Sequence, residues 1–302
     1  MSRAVRSLDG LMAGDAFGEC FYGQSSLVSM RISRRDLPNP QWMATDDSIM
    51  ACGLMEVLAR KGHVDQDVLA SVFAYNYQRD PLRGYGKGVH QQLQILANGG
   101  DWRFVSRAQF AGSGSMGNGA AMRVAPLGVY FADDLTEVMS EAKAQAEVTH
   151  AHPEGIWGAV AVALAAALAW QMRHECDDDQ RGKRLLRETV SLMDASETRE
   201  KLMQAMAFDF SIEPEEAAQV LGSGQRMLAQ DTVPFAIWCA ARHLGDFQAT
   251  LWSTVTGLGD RDTTCAIAGG IAAAVDPVPD HWWSCLEQSP FIDYLRDGFD
   301  CD

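Results

Sequence analysis

A chain of 302 residues with 47% hydrophobic residues holds ample material for a sizeable core. Its 25 lysines and arginines stand against 40 aspartates and glutamates, a net charge of −15, which opposes non-specific nucleic-acid binding and association with an anionic membrane. An anionic ligand must therefore be held by local devices: backbone N–H groups, helix N-termini or bound cations.

Helical periodicity recurs along the chain, while strand-like alternation is scarce. The opening stretch, "MSRAVRSLDGLMAGDAFG", lacks the sustained apolar run of a signal peptide, and its spacing predicts a helix over 3–17. Further helices are predicted over 47–60, 65–77, 86–97, 135–148, 154–172, 182–194, 198–207, 213–221, 232–243, 246–256 and 263–275. Glycine and proline loops ("DLPNP", "RDPLRGYG", "AGSGSMGNG", "DPVPD") and a charged connector over 173–184 separate them. The run from Ile156 to Trp170 would reach only about 22 Å as a helix, short of a bilayer core. Its alanines and glycines suit a central helix with close neighbours, and no membrane span is expected. Trp157, Trp170 and Trp238 lie in apolar helical stretches and are expected in the core; Tyr85 is left open. The seven cysteines, Cys20, Cys52, Cys176, Cys239, Cys265, Cys285 and Cys301, are scattered with no CxxC pair, which fits a reducing cytoplasm. The expectation is an all-α chain forming one compact orthogonal multi-helix domain over 1–302.

Two stretches carry chemistry. In "MATDDSIM", Thr45, Asp46 and Asp47 stand directly before an apolar helical run, where one acid would suffice as a cap and a second adds repulsion. The pattern returns in "GLGDRDTTCAIAGGI", with Asp260, Asp262 and Thr263 leading into a helix of small residues. Taken alone, the first stretch is balanced between a pair of solvated acids at a cap and a functional cluster. If the two helix starts face each other, four carboxylates and two hydroxyls meet. Such a cluster of hard oxygens, without Cys or His, calls for Mg²⁺ or Mn²⁺ rather than zinc. The loop "AGSGSMGNGAAMR" has glycines at 112, 114, 117 and 119, which let consecutive N–H groups converge on phosphate oxygens ahead of a helix suggested by "AAMRVAPL". "VTHAHPEG" offers His150 and His152, a zinc-like pair with no third ligand nearby.

"GLMAGDAFGE", "TDDSIM", "RGYGKGV", "GSMGNGAAMRVAP", "VTHAHPEG" and "GDRDTTCAIAGGI" occur in the order and approximate spacing of the ADP-ribosylglycohydrolase family, which the chain resembles from about residue 8 to 275. The nearest branch in motifs cleaves serine-linked and polymeric ADP-ribose and O-acetyl-ADP-ribose. The resemblance implies a central di-magnesium site held by Thr45, Asp46, Asp47, Asp260, Asp262 and Thr263, with Mn²⁺ as a substitute, and gives Asp47 and Asp262 a share in catalysis. It places Phe110, Gly114, Ser115, Met116, Gly117, Asn118 and His150 on the ligand and leaves His152 structural. In the family the ions orient the distal ribose, and fixing the sugar beside water and leaving group lowers the barrier to an oxocarbenium-like state.

One departure concerns the family's glutamate. Here Glu19 follows Gly18 directly, and Gly23 stands where the serine-linked branch has its acid. Glu19 is taken as the candidate for proton transfer or water positioning. The segment 24–44, with Arg31, Arg34 and Arg35, corresponds to a mobile lid in the family. The expected substrate is an ADP-ribosylated protein or small molecule. The alternative is an ADP-ribose-binding protein, or one that neutralises an ADP-ribosyltransferase, without turnover. A terpene-synthase-like diphosphate enzyme would need the later acid of a DDxxD motif, which "DDSIM" lacks.

Overall fold

Residues 1–175, 178–289 and 292 are described by the computed structural model, and no β-strand occurs among them. Cys176 and Cys301 lie outside the described residues; Cys20, Cys52, Cys239, Cys265 and Cys285 are free thiols. In chain order the helices are α1 (Ser2–Glu19), α2 (Ser25–Arg34), α3 (Asp46–Lys61), α4 (Gln66–Arg79), α5 (Lys87–Ala97), α6 (Trp102–Gly112), α7 (Ala125–Tyr130) and α8 (Leu135–Glu147). They continue with α9 (Pro153–Gln171), α10 (Asp178–Ser191), α11 (Glu197–Ala207), α12 (Pro214–Leu221), α13 (Ala229–Arg242), α14 (Phe247–Val255), α15 (Arg261–Ala272) and α16 (Asp280–Trp283).

The closest helix pair joins the two ends of the chain. Gly10, Gly14 and Gly18 recur at four-residue spacing on α1, and a Cβ at any of them would overlap the carbonyl of Gly269, Cys265 or Arg261 on α15. The two backbones therefore touch along a glycine seam, which sets the start of α15 against the C-terminal end of α1. α9 is the central helix expected. At 19 residues it is long and apolar enough to cross a membrane. Here, however, it is buried from Ala159 to Ala169 and packed on α7, α8 and α13.

Four departures from the expected helices have physical causes. The segment 24–44, which corresponds to a lid in the family, contains α2, whose Val28 and Ile32, four residues apart, are buried in a second apolar cluster with Phe17, Phe21, Trp42, Trp252 and Trp282. The surrounding serines and arginines mask that two-residue stripe. Arg31 is engaged, its guanidinium 5.1 Å from the Phe21 ring centroid and its Nη1 donating to the Cys20 carbonyl at 3.4 Å. α6 was not expected; Asp101 caps it by accepting from the Arg103 amide at 2.9 Å. "AAMR" is not helical: a single 3-10 turn over Asn118–Ala120 ends at its first alanine, its other residues form turns, and the helix starts only at Ala125, where Pro126 pre-sets φ in its first turn. The second part of the charged connector, 178–184, forms the first two turns of α10.

Trp157 and Trp238 are buried, and Trp170 is partly buried against the core, with the Arg173 guanidinium 4.0 Å from its ring centroid.

A candidate metal and ADP-ribose site

The start of α3 answers why two acids follow Thr45. Thr45 is the N-cap, its hydroxyl accepting from the Asp47 amide at 3.3 Å. The Thr45 and Ser48 donors go to Asp15 in the C-terminal half of α1, which accepts from the Thr45 amide at 2.9 Å, the Thr45 hydroxyl at 2.7 Å, the Ser48 amide at 3.2 Å and the Ser48 hydroxyl. Neither Asp46 nor Asp47 is needed as a cap. Both are buried, and Asp47 Oδ1 has no hydrogen-bond partner. The loop "RGYG" closes one side: Asp46 donates its amide to the Arg83 carbonyl at 2.7 Å, and the Tyr85 hydroxyl is buried without a partner.

α15 brings the second pair. Asp260 is its N-cap residue by position, but its carboxylate caps nothing. Asp260 Oδ2 instead accepts from Asn118 Nδ2 at 2.7 Å, and Oδ1 from the Tyr22 hydroxyl at 3.3 Å; the same hydroxyl donates to Asp262 Oδ1 at 2.8 Å. Thr263 is buried just behind.

Electrostatics ties the two helix starts together. Burial raises Asp46 and Asp47 well above the carboxylate range, with Asp262 and Asp15 adding repulsion to both. Asp15 and Asp260 are pushed up to about 7, by burial and then by the charge of Asp262. Glu19 ends α1 as a half-buried carboxyl, raised by burial and by the nearby Asp262. It stands four residues from Asp15, on the same face of a helix that runs two residues past the expected end. Five aspartates and a glutamate thus converge with little positive charge to offset them; the buried Arg123 guanidinium is the cation that acts on Asp46.

Among the described residues no three carboxylate or imidazole groups stand as a ready ligand triad. The donor set nevertheless fits a hard divalent cation: all oxygens, mutually repelling, one of them buried and partnerless.

The glycine loop abuts this cluster. Gln109, Phe110 and Ala111 break out of helical geometry, the latter two with φ of 49° and 57°, and Phe110 is turned outward with 66% of its surface exposed. Gly114 has φ 76°, and a side chain there would run into the backbone of Ala151 and His152. Ser115 accepts from the Gly117 amide at 3.1 Å, and the Met116 carbonyl accepts from the Ala229 amide at 2.9 Å. The Asn118 amide donates to the Met227 carbonyl at 3.2 Å. The loop is therefore pinned on one side to 227–229 and, through the Asn118 side chain, to Asp260. His150 lies buried under Gly117 and Gly119, its Nδ1 paired with the Thr149 hydroxyl at 2.8 Å. Burial and then Arg123 lower it to about 3, so the imidazole is neutral. His152 caps α9, its Nδ1 accepting from the Glu154 amide at 3.1 Å.

Three residues escaped sequence reasoning. Asp15 had a signal, a carboxylate within an apolar, glycine-rich helix. Arg123 had a weaker one, a lone cation in "AAMRVAP". Tyr22 had none, because only the fold carries it across to α15, where Arg261 lies 4.8 Å over its ring.

A family model for ADP-ribosylglycohydrolase matches residues 1–300. ADP-ribosylhydrolase ARH3 of Homo sapiens is 32% identical over 97% of this chain and 93% of that protein. ADP-ribosyl-[dinitrogen reductase] glycohydrolase of Rhodospirillum rubrum is 26% identical over 94% and 90%. A solved structure described as an ADP-ribosylglycohydrolase-related protein complex shares the fold, with a TM-score of 0.70 at 23% identity and coverage of 98% of this chain and 97% of its own. On the extent of the family match and the identity to ARH3, the chain belongs to the ADP-ribosylglycohydrolase family of hydrolases.

Proposed function

We propose that this protein is a Mg²⁺-dependent hydrolase that releases ADP-ribose from a modified protein or small molecule by cleaving the bond at the anomeric carbon of the distal ribose. The observation that carries this reading is the Asn118–Asp260 hydrogen bond, which places a phosphate-type glycine loop directly against the acid cluster. Thr45, Asp46, Asp47, Asp260, Asp262 and Thr263 would hold two Mg²⁺ ions, or Mn²⁺ in their place. When bound, such ions supply Lewis acidity toward the ribose hydroxyls and neutralise the acids.

The chain's own groups do the remaining work. The Gly114, Gly117 and Asn118 amides are spent on shaping the loop, through the Gln109 carbonyl, the Ser115 hydroxyl and the Met227 carbonyl, which leaves the Ser115 and Met116 N–H groups for the diphosphate. Phe110, held outward by the kink, offers a ring on which adenine stacks. Neutral His150 supports the loop from beneath and leaves its surface for the anion. Glu19, raised by burial and by Asp262, retains a proton to higher pH than an exposed glutamate and exchanges it with water or the leaving oxygen. The free thiols support a cytoplasmic location.

A second reading rests on Gly23. The position where the serine-linked branch carries its acid is a glycine with φ 134° in open space, which favours a protein that binds ADP-ribose, or masks an ADP-ribosyltransferase, without turnover. One experiment separates the two: serine-linked, arginine-linked, polymeric and O-acetyl ADP-ribose substrates are incubated with purified protein in Mg²⁺ or chelator. Mg²⁺-dependent release of ADP-ribose from at least one supports the hydrolase. Binding of ADP-ribose with no release from any supports the second reading.

A further inference from the structure

A cavity of about 720 Å³ opens beside Asp260, walled by Tyr22, Glu215, Gln219, Arg226 and Arg261, and it borders the glycine loop at Met227, whose carbonyl accepts from the Asn118 amide. Asp260 links the two. Its Oδ2 faces Asn118 on the glycine-loop side, while its Oδ1 faces the Tyr22 hydroxyl on the cleft side. If ADP-ribose lies along the glycine loop with its distal ribose at the acids, the bond to be cut points away from the loop, toward this cleft.

The cleft is a built feature. Its two loops, 222–227 and 256–260, are stapled together by the Asp260 amide donating to the Ser223 carbonyl at 3.0 Å, and the first is tied to α13 by the Gly224 amide donating to the Asp231 carbonyl at 2.7 Å. Met227 and Leu258 sit in the left-handed region with φ of 54° and 56°, a cost that persists only where surrounding bonds over-determine the backbone. The volume falls within the range of about 300–1,000 Å³ typical of pockets for whole organic ligands. A lone hydroxyl or acetate leaving group fills a small part of it.

Charge narrows the occupant. Arg226 is committed to Asp231, with Nε to Oδ1 at 3.1 Å. Arg261 is held in place by the Phe21 carbonyl at 3.0 Å and by the Tyr22 ring, with its Nε buried and unpartnered. Glu215, exposed in the first turn of α12, has no ion pair among the described residues. Glu215 is thus the lining carboxylate left free to meet an incoming cation.

We propose that this cleft seats the polypeptide segment carrying the ADP-ribosylated residue, and that Glu215 favours a lysine or arginine beside that residue. The proposal rests on the hydrolase reading and deepens it.

The test uses the full-length protein with Mg²⁺ and three substrates: O-acetyl-ADP-ribose, a peptide ADP-ribosylated beside a lysine, and the same peptide with glutamate in place of lysine. Serine-linked and arginine-linked versions of both peptides are included. Two variants are compared with wild type, Glu215→Lys and Gln219→Trp, the second filling the cleft. The expected result is that Glu215→Lys raises KM about tenfold for the lysine peptide and lowers it for the glutamate peptide. Gln219→Trp is expected to raise KM at least tenfold for both. O-acetyl-ADP-ribose kinetics should be unchanged in each variant. Unchanged peptide KM in both variants overturns the proposal, and so does an equal loss on peptide and O-acetyl-ADP-ribose. If wild type turns over none of these, the hydrolase reading falls, and the cleft is judged by binding. Weaker binding of the lysine peptide with unchanged binding of free ADP-ribose in Glu215→Lys sustains the cleft; parallel changes overturn it.

Discussion

Asp15 accepts the Thr45 hydroxyl at 2.7 Å and the Thr45 amide at 2.9 Å, so a residue of α1 does the capping that frees Asp46 and Asp47. Asp15→Asn turns one acceptor oxygen into a donor facing the Thr45 and Ser48 donors. Leaving a buried donor unmet costs about 1–3 kcal/mol. Urea unfolding should report a loss of that size, with weaker Mg²⁺ binding alongside; unchanged stability would mean that the Asp15 bonds are not what holds this helix start.

Metal binding and pH are linked with a definite sign. The ordinary value of an aspartate is 3.8, and Asp15 and Asp260 are pushed up to about 7. Between those values the folded protein holds more protons than the unfolded chain, so ion-free stability falls as pH rises through this window. Mg²⁺ competes for the deprotonated oxygens and stabilises the native state by mass action, about 2.7 kcal/mol at a hundredfold excess over Kd. The rise in Tm on adding Mg²⁺ should therefore be small at pH 5 and large at pH 8. An equal rise at both, or no heat of Mg²⁺ binding by calorimetry, contradicts the metal site.

Asp262→Ala should abolish most hydrolysis, by orders of magnitude, while leaving the circular dichroism spectrum intact. Asp262 raises its neighbours by repulsion, so its removal relieves the ion-free cluster rather than unfolding it. Near-normal ADP-ribose release from the folded variant would make the acids structural.

Glu19→Gln keeps size and hydrogen bonding but removes the titrating group. A positioned acid or base is worth about 10²–10⁴-fold in rate. A fall in kcat of at least about tenfold, with ADP-ribose affinity nearly unchanged, is expected from steady-state kinetics and titration. Unchanged kcat removes Glu19 from the chemistry.

Gly14→Val forces a side chain against the Cys265 carbonyl. Overpacking costs about 1–3 kcal/mol, and because the seam sets the position of α15 over α1, Mg²⁺ affinity should fall with stability. Stability lost with Mg²⁺ affinity intact would show that the site tolerates movement of the seam.

The central helices were legible because their apolar residues repeat at helical spacing over several turns. α2 was not: its buried stripe is only Val28 and Ile32 among serines and arginines, a signal too short to stand out from a loop. The acids were legible as two clusters because two carboxylates exceed what one cap requires. The residue that relieves them of capping was not, because Asp15 meets Thr45 only through the packing of α1 on α3. Tyr22 is the limiting case. It and Asp262 are 240 residues apart, and no local pattern marks a tyrosine after a helix end as the donor to a distant acid.

That separation also bears on the order in which the protein acquires its site. Until α15 has been made and has settled onto the glycine face of α1, the chain holds only the α3 acids, with Asp15 spent on capping and nothing opposite them. A nascent or C-terminally clipped chain that stops short of α15 lacks half of the candidate ion ligands, however well its α9 core is packed. Tight Mg²⁺ binding would then serve as a readout of complete assembly, distinguishing finished molecules from well-packed but unfinished ones.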